Sequence, residues 1–179
     1  MGWTSAVGYW PRGLTPIGAD SQTFAQKLAE IAVSSCDPRS GVVMSEANKA
    51  VVRKALDIYN GGVFDLMDDL IRPDYAHHNN DLTLSRDQFK RGAAWIRKGM
   101  PDFRIEIEDM VAEGDKVAIR FVSRGTHLGS MYGETPTSRS IAIHGETIYR
   151  LQGGMIVEDW EAMDEHDLMK QIGAVPPDA

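Results

Sequence analysis

The sequence predicts an α+β fold in which helices come first and antiparallel strands follow. Three observations carry that prediction. Apolar residues recur at helical spacing up to Met100. After Pro101 the period drops to two, so that Phe103, Ile105 and Ile107 alternate with Arg104, Glu106 and Glu108. Two strand-like segments then flank Gln152-Gly153-Gly154, a tight hairpin turn. Helices collected at one end of a chain pack together on one face of the sheet that follows, here a curved one.

The elements can be read in order. A short helix fits residues 21–34, with Ser21 as cap and Phe24, Leu28 and Ile31 on one face. Cys36-Asp37-Pro38-Arg39-Ser40-Gly41 is turn chemistry, hence a linker, and Met44-Ser45-Glu46 reads as the natural start of the main domain. Residues 1–43 are therefore expected to be an N-terminal extension, docked or disordered, and residues 44–179 a single domain. From 46 to 59 a helix buries Val51, Val52, Ala55, Leu56 and Tyr59, stopped by Asn60-Gly61-Gly62. A second helix over 63–71 offers Val63, Phe64, Met67, Leu70 and Ile71. Arg72-Pro73-Asp74 ends it, and Tyr75-Ala76-His77-His78 is a short extended piece. Ser85-Arg86-Asp87-Gln88 is a capping box opening a third helix to about residue 99, with Phe89, Ala93, Ile96 and Met100 inward. Strands follow over 103–108 and 117–122, separated by Glu113-Gly114-Asp115. A Gly-rich stretch at 125–137 leads to a long strand, 138–151, and its return strand, 155–161. Asp164 caps a last short helix with Leu168, Met169 and Ile172 inward, closed by Gly173.

Composition excludes several functions. The chain has 179 residues, 19 Lys+Arg against 26 Asp+Glu, and a net charge of −7. Arg12, Lys27 and Arg39 balance Asp20, Glu30 and Asp37, so the acidity lies wholly in residues 44–179. Nucleic acid and anionic membranes need a basic face, so neither is expected as a partner. The single Cys36 leaves no intramolecular disulfide and no Cys-cluster zinc site. No apolar run approaches the ~20 residues that span a bilayer. No basic flank precedes an apolar stretch at the N-terminus, so no secretory signal is read and a cytoplasmic protein is expected. G-x-G-x-x-G, P-loop and G-x-S-x-G motifs are missing, as is a helical pair of histidines at metal spacing, and no metal site is expected.

What remains is a set of ionisable residues on strands. On the return strand, alternation places Ile156, Glu158 and Trp160 on one face and Val157, Asp159 and Glu161 on the other. Three carboxylates on a strand that should pack under helices are costly if buried unpaired. Either they sit solvated at the mouth of the sheet, or one lies inside an apolar cavity where desolvation makes it a general acid or base. His77 and His78 are adjacent, so they point to opposite faces and cannot easily chelate together. His78, His127 and His144 each read as a polar filler or a catalyst. Trp95 and Trp160 suit a core or the wall of a slot for an aromatic ligand. The nine methionines suit either an adaptable cavity or ordinary core filling.

Three blocks, in order, resemble the SnoaL-like polyketide cyclases of the NTF2-like superfamily. The first is Val51–Tyr75, with Asn60-Gly61-Gly62 and Ile71-Arg72-Pro73-Asp74-Tyr75. The second is Gly125-Thr126-His127-Leu128-Gly129 with Gly133, Pro136 and Thr137. The third is Gly154, Ile156, Glu158, Trp160, Asp164 and Leu168-Met169-Lys170-Gln171-Ile172-Gly173. The resemblance covers nearly all of 44–175 and none of 1–43. It implies an NTF2-like cone: three helices over a strongly bent antiparallel or mixed sheet enclosing a deep pocket. It also implies closure of a polycyclic ring by intramolecular aldol condensation on a small hydrophobic or aromatic polyketide, without metal or cofactor.

The family's acid/base, an aspartate on the return strand, falls on Glu161, one methylene longer. The family's histidine on the preceding strand falls on Thr147, which does not titrate. His144 lies three residues away and reaches the same face only if a bulge intervenes. The candidate catalytic residues are thus Glu161, Asp159 and His144, and the candidate ligand contacts are Tyr75, His78, Trp95, Thr147 and Trp160. Two other readings stand beside this one. The same cone hosts isomerases, dehydratases and epoxide hydrolases, the last favouring a carboxylate–arginine pair with Arg120 or Arg124. A non-catalytic ligand-binding or dimerisation module is the other. The outer face of so small a sheet needs covering, which predicts a homodimer.

Overall fold

The computed structural model describes residues 38–175. The predicted helix at 21–34 lies outside them. Helix α1 (Pro38–Gly61) is followed by a 3-10 helix (Phe64–Asp69), strands β1 (Ile71–Asn79) and β2 (Leu82–Ser85), and helix α2 (Arg86–Gly99). Strands β3 (Arg104–Glu113), β4 (Lys116–Thr126), β5 (Ser140–Gln152) and β6 (Met155–Met163) precede helix α3 (Glu165–Ile172). The strands form one mixed sheet in the order β2-β1-β6-β5-β4-β3. Every neighbouring pair is antiparallel except β1 and β6, which run parallel. Register shifts interrupt three of the five ladders, and such bulges bend a sheet. The α+β architecture is the one the periodicity predicts.

The helices dock where their apolar stripes predict. Val52, Ala55, Leu56 and Tyr59 of α1 are buried in one core with Phe103, Val117, Ile119 and Phe121 of the sheet side. The C-terminus of α1 is pinned to β3 by Asn60, whose amide donates to the Ile105 carbonyl at 2.9 Å and accepts from the Ile105 amide at 2.8 Å. Arg97 of α2 donates to the Tyr59 and Asn60 carbonyls, capping the end of α1 from a neighbouring helix. Helix α2 opens on the predicted capping box, Ser85 and Gln88 bonding each other's backbone amides. Asp164 caps α3 through the Asp167 amide, and Gly173 closes it in the left-handed region.

Four local differences from the sequence reading have physical causes. Helix α1 begins at Pro38 rather than near residue 46, through the segment read as a linker; proline is tolerated in a first helical turn, where its missing N–H is not needed. The helix expected over 63–71 is a six-residue 3-10 turn that ends at Asp69, with Val63 half exposed, and Ile71 already belongs to a strand. Pro73 lies inside β1 without breaking it, because it sits in the stretch between Ile71 and Ala76 where the ladder to β6 is interrupted. The short strand β2 had no periodic signal of its own. The hairpin at Gly153-Gly154 formed as predicted, both glycines at positive φ as the favoured two-residue turn demands.

The Gly-rich segment after β4 seals one end of the core. The Leu128 and Gly129 amides both donate to the Gly99 carbonyl, at 2.9 and 2.8 Å. A Cβ on Gly129 would come within 2.0 Å of the Lys98 carbonyl oxygen, so the approach requires glycine. His127 is fully buried here, its Nδ1 within 3.0 Å of the Thr137 hydroxyl, as a filler rather than a cavity residue.

Candidate active site

The site is built where β1 runs beside β6. Alternation on β1 sends Tyr75 and His77 inward and His78 outward. On β6 it sends Asp159 and Glu161 inward, between β1 on one side and β5 on the other. Two rungs result. His77, Asp159 and Tyr149 lie side by side, and one rung further Asn79, Glu161 and Thr147 do the same. Strict alternation fails at one point of β6. A register shift at Val157 turns Ile156 inward with Asp159 and Glu161, although the sequence pattern grouped it with Glu158 and Trp160.

These side chains face a cavity of about 170 Å³ beneath α1 and α2. Its walls are largely apolar, with Leu56, Met67, Phe89, Ile96, Ile105 and Ile156 prominent. A second, inner lobe of about 50 Å³ lies against β3, β4 and β5. Glu161 lines both lobes, as do Tyr59, Ile96, Ile105, Tyr132 and Met163. The carboxyl therefore stands at the junction of the two spaces.

The polar groups form one connected set. Asp159 is buried and holds both oxygens occupied: Oδ1 lies 2.7 Å from His77 Nδ1, and Oδ2 accepts the Tyr75 hydroxyl at 2.5 Å. Burial opposes charge on His77, but the hydrogen bond and charge of Asp159, with the charge of Glu161, outweigh it and raise its pKa above the ordinary histidine value. Burial first, then the Asp159 charge, drive Tyr75 and Tyr149 well above the usual phenol range, so both are neutral hydrogen-bonding groups. Burial also raises Tyr59.

Glu161 is pushed up to about 7. Desolvation is the main cause; the charges of Asp159 and Glu165 add to it, while His77 and Thr147 pull the other way. The residue is partly buried and lines the cavity. Thr147 faces Glu161 across the ladder; its hydroxyl favours the ionised forms of Glu161 and Tyr149 without reaching full hydrogen-bond geometry to either. A carboxyl at about 7 is poised to give or take a proton near neutrality.

The remaining sequence candidates lie elsewhere. His78 and Trp160 stack on the outer face of the sheet, rings 5.5 Å apart, with His78 Nε2 2.9 Å from Glu158. His144 is on that face as well, its side chain 69% exposed and 3.8 Å from Glu108. The ladder between β4 and β5 runs unbroken past it, so no bulge turns it inward. Trp95 projects from α2 and does not line the main lobe itself, but meets Tyr132, which does, edge-on at 5.1 Å. Arg120 and Arg124 pair with Glu108 and Glu106 at the surface rather than with Asp159 or Glu161. His77, Tyr149, Tyr59 and Phe89 were not singled out by the sequence. The signal for His77 was its parity with Tyr75; no pattern within one strand announces that β1 will lie parallel to β6.

Among the described residues no group of three or more His, Cys, Asp or Glu is arranged to hold a metal ion. None of the described helices is long and apolar enough to cross a membrane.

Residues 49–172 match the SnoaL-like polyketide cyclase family. The chain belongs to that family. A relative from Streptomyces galilaeus, aklanonic acid methyl ester cyclase AcmA, is 30% identical over 135 residues, covering 72% of this chain and 92% of its own length. Among solved structures, AclR of Streptomyces galilaeus, a candidate hydroxylase, superposes with a TM-score of 0.68 at 26% identity, over 72% of this chain and 82% of AclR. IdmH of Streptomyces antibioticus, a candidate polyketide cyclase, gives 0.65 at 26% identity, over 70% of this chain and 98% of IdmH. The NTF2-like cone of this SnoaL-like chain thus has its polar groups gathered on β1 and β6, with threonine at position 147.

Proposed function

We propose that this SnoaL-like chain closes a ring in a small hydrophobic or aromatic polyketide by intramolecular aldol condensation, with Glu161 as acid and base and no cofactor. The observation that carries the reading is the Glu161 carboxyl, held at about 7 at the junction of two lobes of a largely apolar cavity, while the second inward carboxylate, Asp159, is tied up by His77 and Tyr75. An entirely apolar pocket would instead favour a binding module. A carbon between two carbonyls is acidic enough for such a base, because its enolate is delocalised. Glu161 takes the C–H proton. The enolate carbon then attacks a ketone of the same molecule, one C–C bond forms, and the carbonyl electrons become an alkoxide. The proton returns to that oxygen, so product and substrate are isomers.

His77 supplies what Thr147 does not. Its Nδ1 is committed to Asp159, which leaves Nε2 as the atom through which it stabilises the enolate or donates to the alkoxide. Asp159 fixes the ring's orientation and charge, and Tyr75 fixes Asp159. The cavity's own contribution is to hold the chain folded for attack, an effect worth ~7–11 kcal/mol in well-oriented intramolecular reactions.

The test is turnover of Glu161→Gln on a panel of polyketide β-dicarbonyl substrates that includes aklanonic acid methyl ester. A fall of about 10²–10⁴-fold in kcat is expected. Full turnover by the variant would remove Glu161 from the chemistry. The same proposal extends to assembly: exposed Val111, Ile148 and Trp160 on the sheet and its outer face support a homodimer through that surface. Light scattering at micromolar concentration should give a dimer mass, and a monomer mass would contradict it.

A further inference from the structure

Strand β4 sends Phe121, Ser123 and Gly125 to the inner lobe in succession, from large to small. Ser123 sits between Ile105 on β3 and Ile143 on β5 in the ladder, a setting in which an aliphatic side chain would pack naturally. Instead it brings a hydroxyl, in a residue 2% exposed, that has no hydrogen-bond partner among the described residues. A buried hydroxyl left unpaired carries a desolvation penalty that nothing offsets. The lobe around it is walled mostly by apolar side chains such as Phe103, Phe121, Met131 and Leu168, with Glu161, Arg124 and two tyrosines as its other polar lining. At about 50 Å³ it is several times the ~10–15 Å³ that a single water needs, so it has room for a small group as well as for solvent.

We propose that the inner lobe is a subsite for an oxygen-bearing substituent at the edge of an aromatic or polyketide ligand, with the Ser123 hydroxyl as its hydrogen-bonding partner. The proposal rests on the reading of the main lobe as the reaction site, and places the ligand across the junction that Glu161 occupies. Serine suits the task because its hydroxyl can donate to a ketone oxygen or accept from a hydroxyl group. A site that hydrogen-bonds such an oxygen rejects the analogue lacking it, because the site's own polar atom is then left unpaired. Ser123 thus acts in selecting and orienting the substrate and takes no part in proton transfer.

The experiment measures binding of two naphthalenes that differ only at that substituent, 2-naphthol and 2-methylnaphthalene, to wild type, Ser123→Ala and Glu161→Gln. The preference of wild type for the hydroxyl compound should fall about 5–10-fold in Ser123→Ala, the loss of one hydrogen bond. An unchanged preference would mean that the hydroxyl serves water alone and would overturn the subsite. Binding of neither compound would overturn it too. A thermal melt without ligand separates a structural role: Ser123→Ala should melt at or above the wild-type temperature, and a lower melting temperature would show that the hydroxyl is needed by the fold. The catalytic reading is tested apart from this. If Glu161→Gln keeps full turnover while Ser123→Ala loses the preference, the subsite stands and the acid/base assignment falls; the reverse pattern leaves the assignment and removes the subsite.

Discussion

Two histidine–carboxylate pairs sit one residue apart on the same two strands, and they face opposite ways. His77 meets Asp159 at 2.7 Å inside the cone, with side chains 6% and 4% exposed. His78 meets Glu158 at 2.9 Å outside it, with side chains 27% and 22% exposed. Residue types and distances are nearly the same; surroundings differ. The outer carboxylate also pairs with Arg150 at 2.6 Å, and that guanidinium holds Glu158 below its usual range. Among the described residues the inner carboxylate has a phenol as its second partner, beside a largely apolar cavity and a second carboxyl. The outer pair is therefore a solvated cross-strand contact, whereas the inner one is a fixed charge arrangement in low dielectric.

Cutting each pair measures that difference. Asp159→Ala leaves a buried imidazole and a buried phenol without their acceptor, and should cost about 3–5 kcal/mol of unfolding free energy. Denaturant melts would show it as a lowered midpoint, and a loss below about 1 kcal/mol would mean that the inner pair is not desolvated as described. Glu158→Ala should cost no more than about 1 kcal/mol by the same melts and leave turnover unchanged, as exposed ion pairs contribute little.

Between these extremes lies the pH dependence set by Glu161. The folded protein holds a proton on this carboxyl up to about pH 7, whereas the unfolded chain releases it near the ordinary value of 4.5. The contribution to stability is thus fully present below pH 4.5 and is lost as pH rises through 7. Glu161→Gln removes that dependence. Wild type and variant should be about equally stable at pH 4, and the variant should gain up to about 3 kcal/mol over wild type by pH 8. A constant gap across that range would count against a desolvated Glu161.

The strand face that carries the chemistry was readable before the structure, because a period of two is enough to put Asp159 and Glu161 together. Alternation also separated His77 from His78. It was less able to place residues across strands. Tyr75 and His77 reach Asp159 only because β1 lies parallel to β6, a pairing that follows from how the chain crosses over and leaves no mark in either segment. Ile156 was grouped with the wrong face because a bulge adds one residue to the count and inverts everything before it. His144 illustrates the converse. It is the nearest histidine in sequence to the position held by Thr147, yet with no bulge beside it, parity alone keeps it in solvent. Tryptophans misled for a different reason: Trp95 and Trp160 are large enough to suggest a core, but both keep more than a third of their surface exposed, one against Tyr132 and the other against His78.

The central claim is that the interior of this cone turns one glutamate into a proton carrier for neutral pH. Its most direct test is a carbon-13 NMR titration of the glutamate side-chain carboxyls, with the Glu161 signal assigned by its loss in Glu161→Gln. The cavity described here predicts a midpoint near 7 for that signal. A midpoint near 4.5, like that of a solvated glutamate, would contradict it.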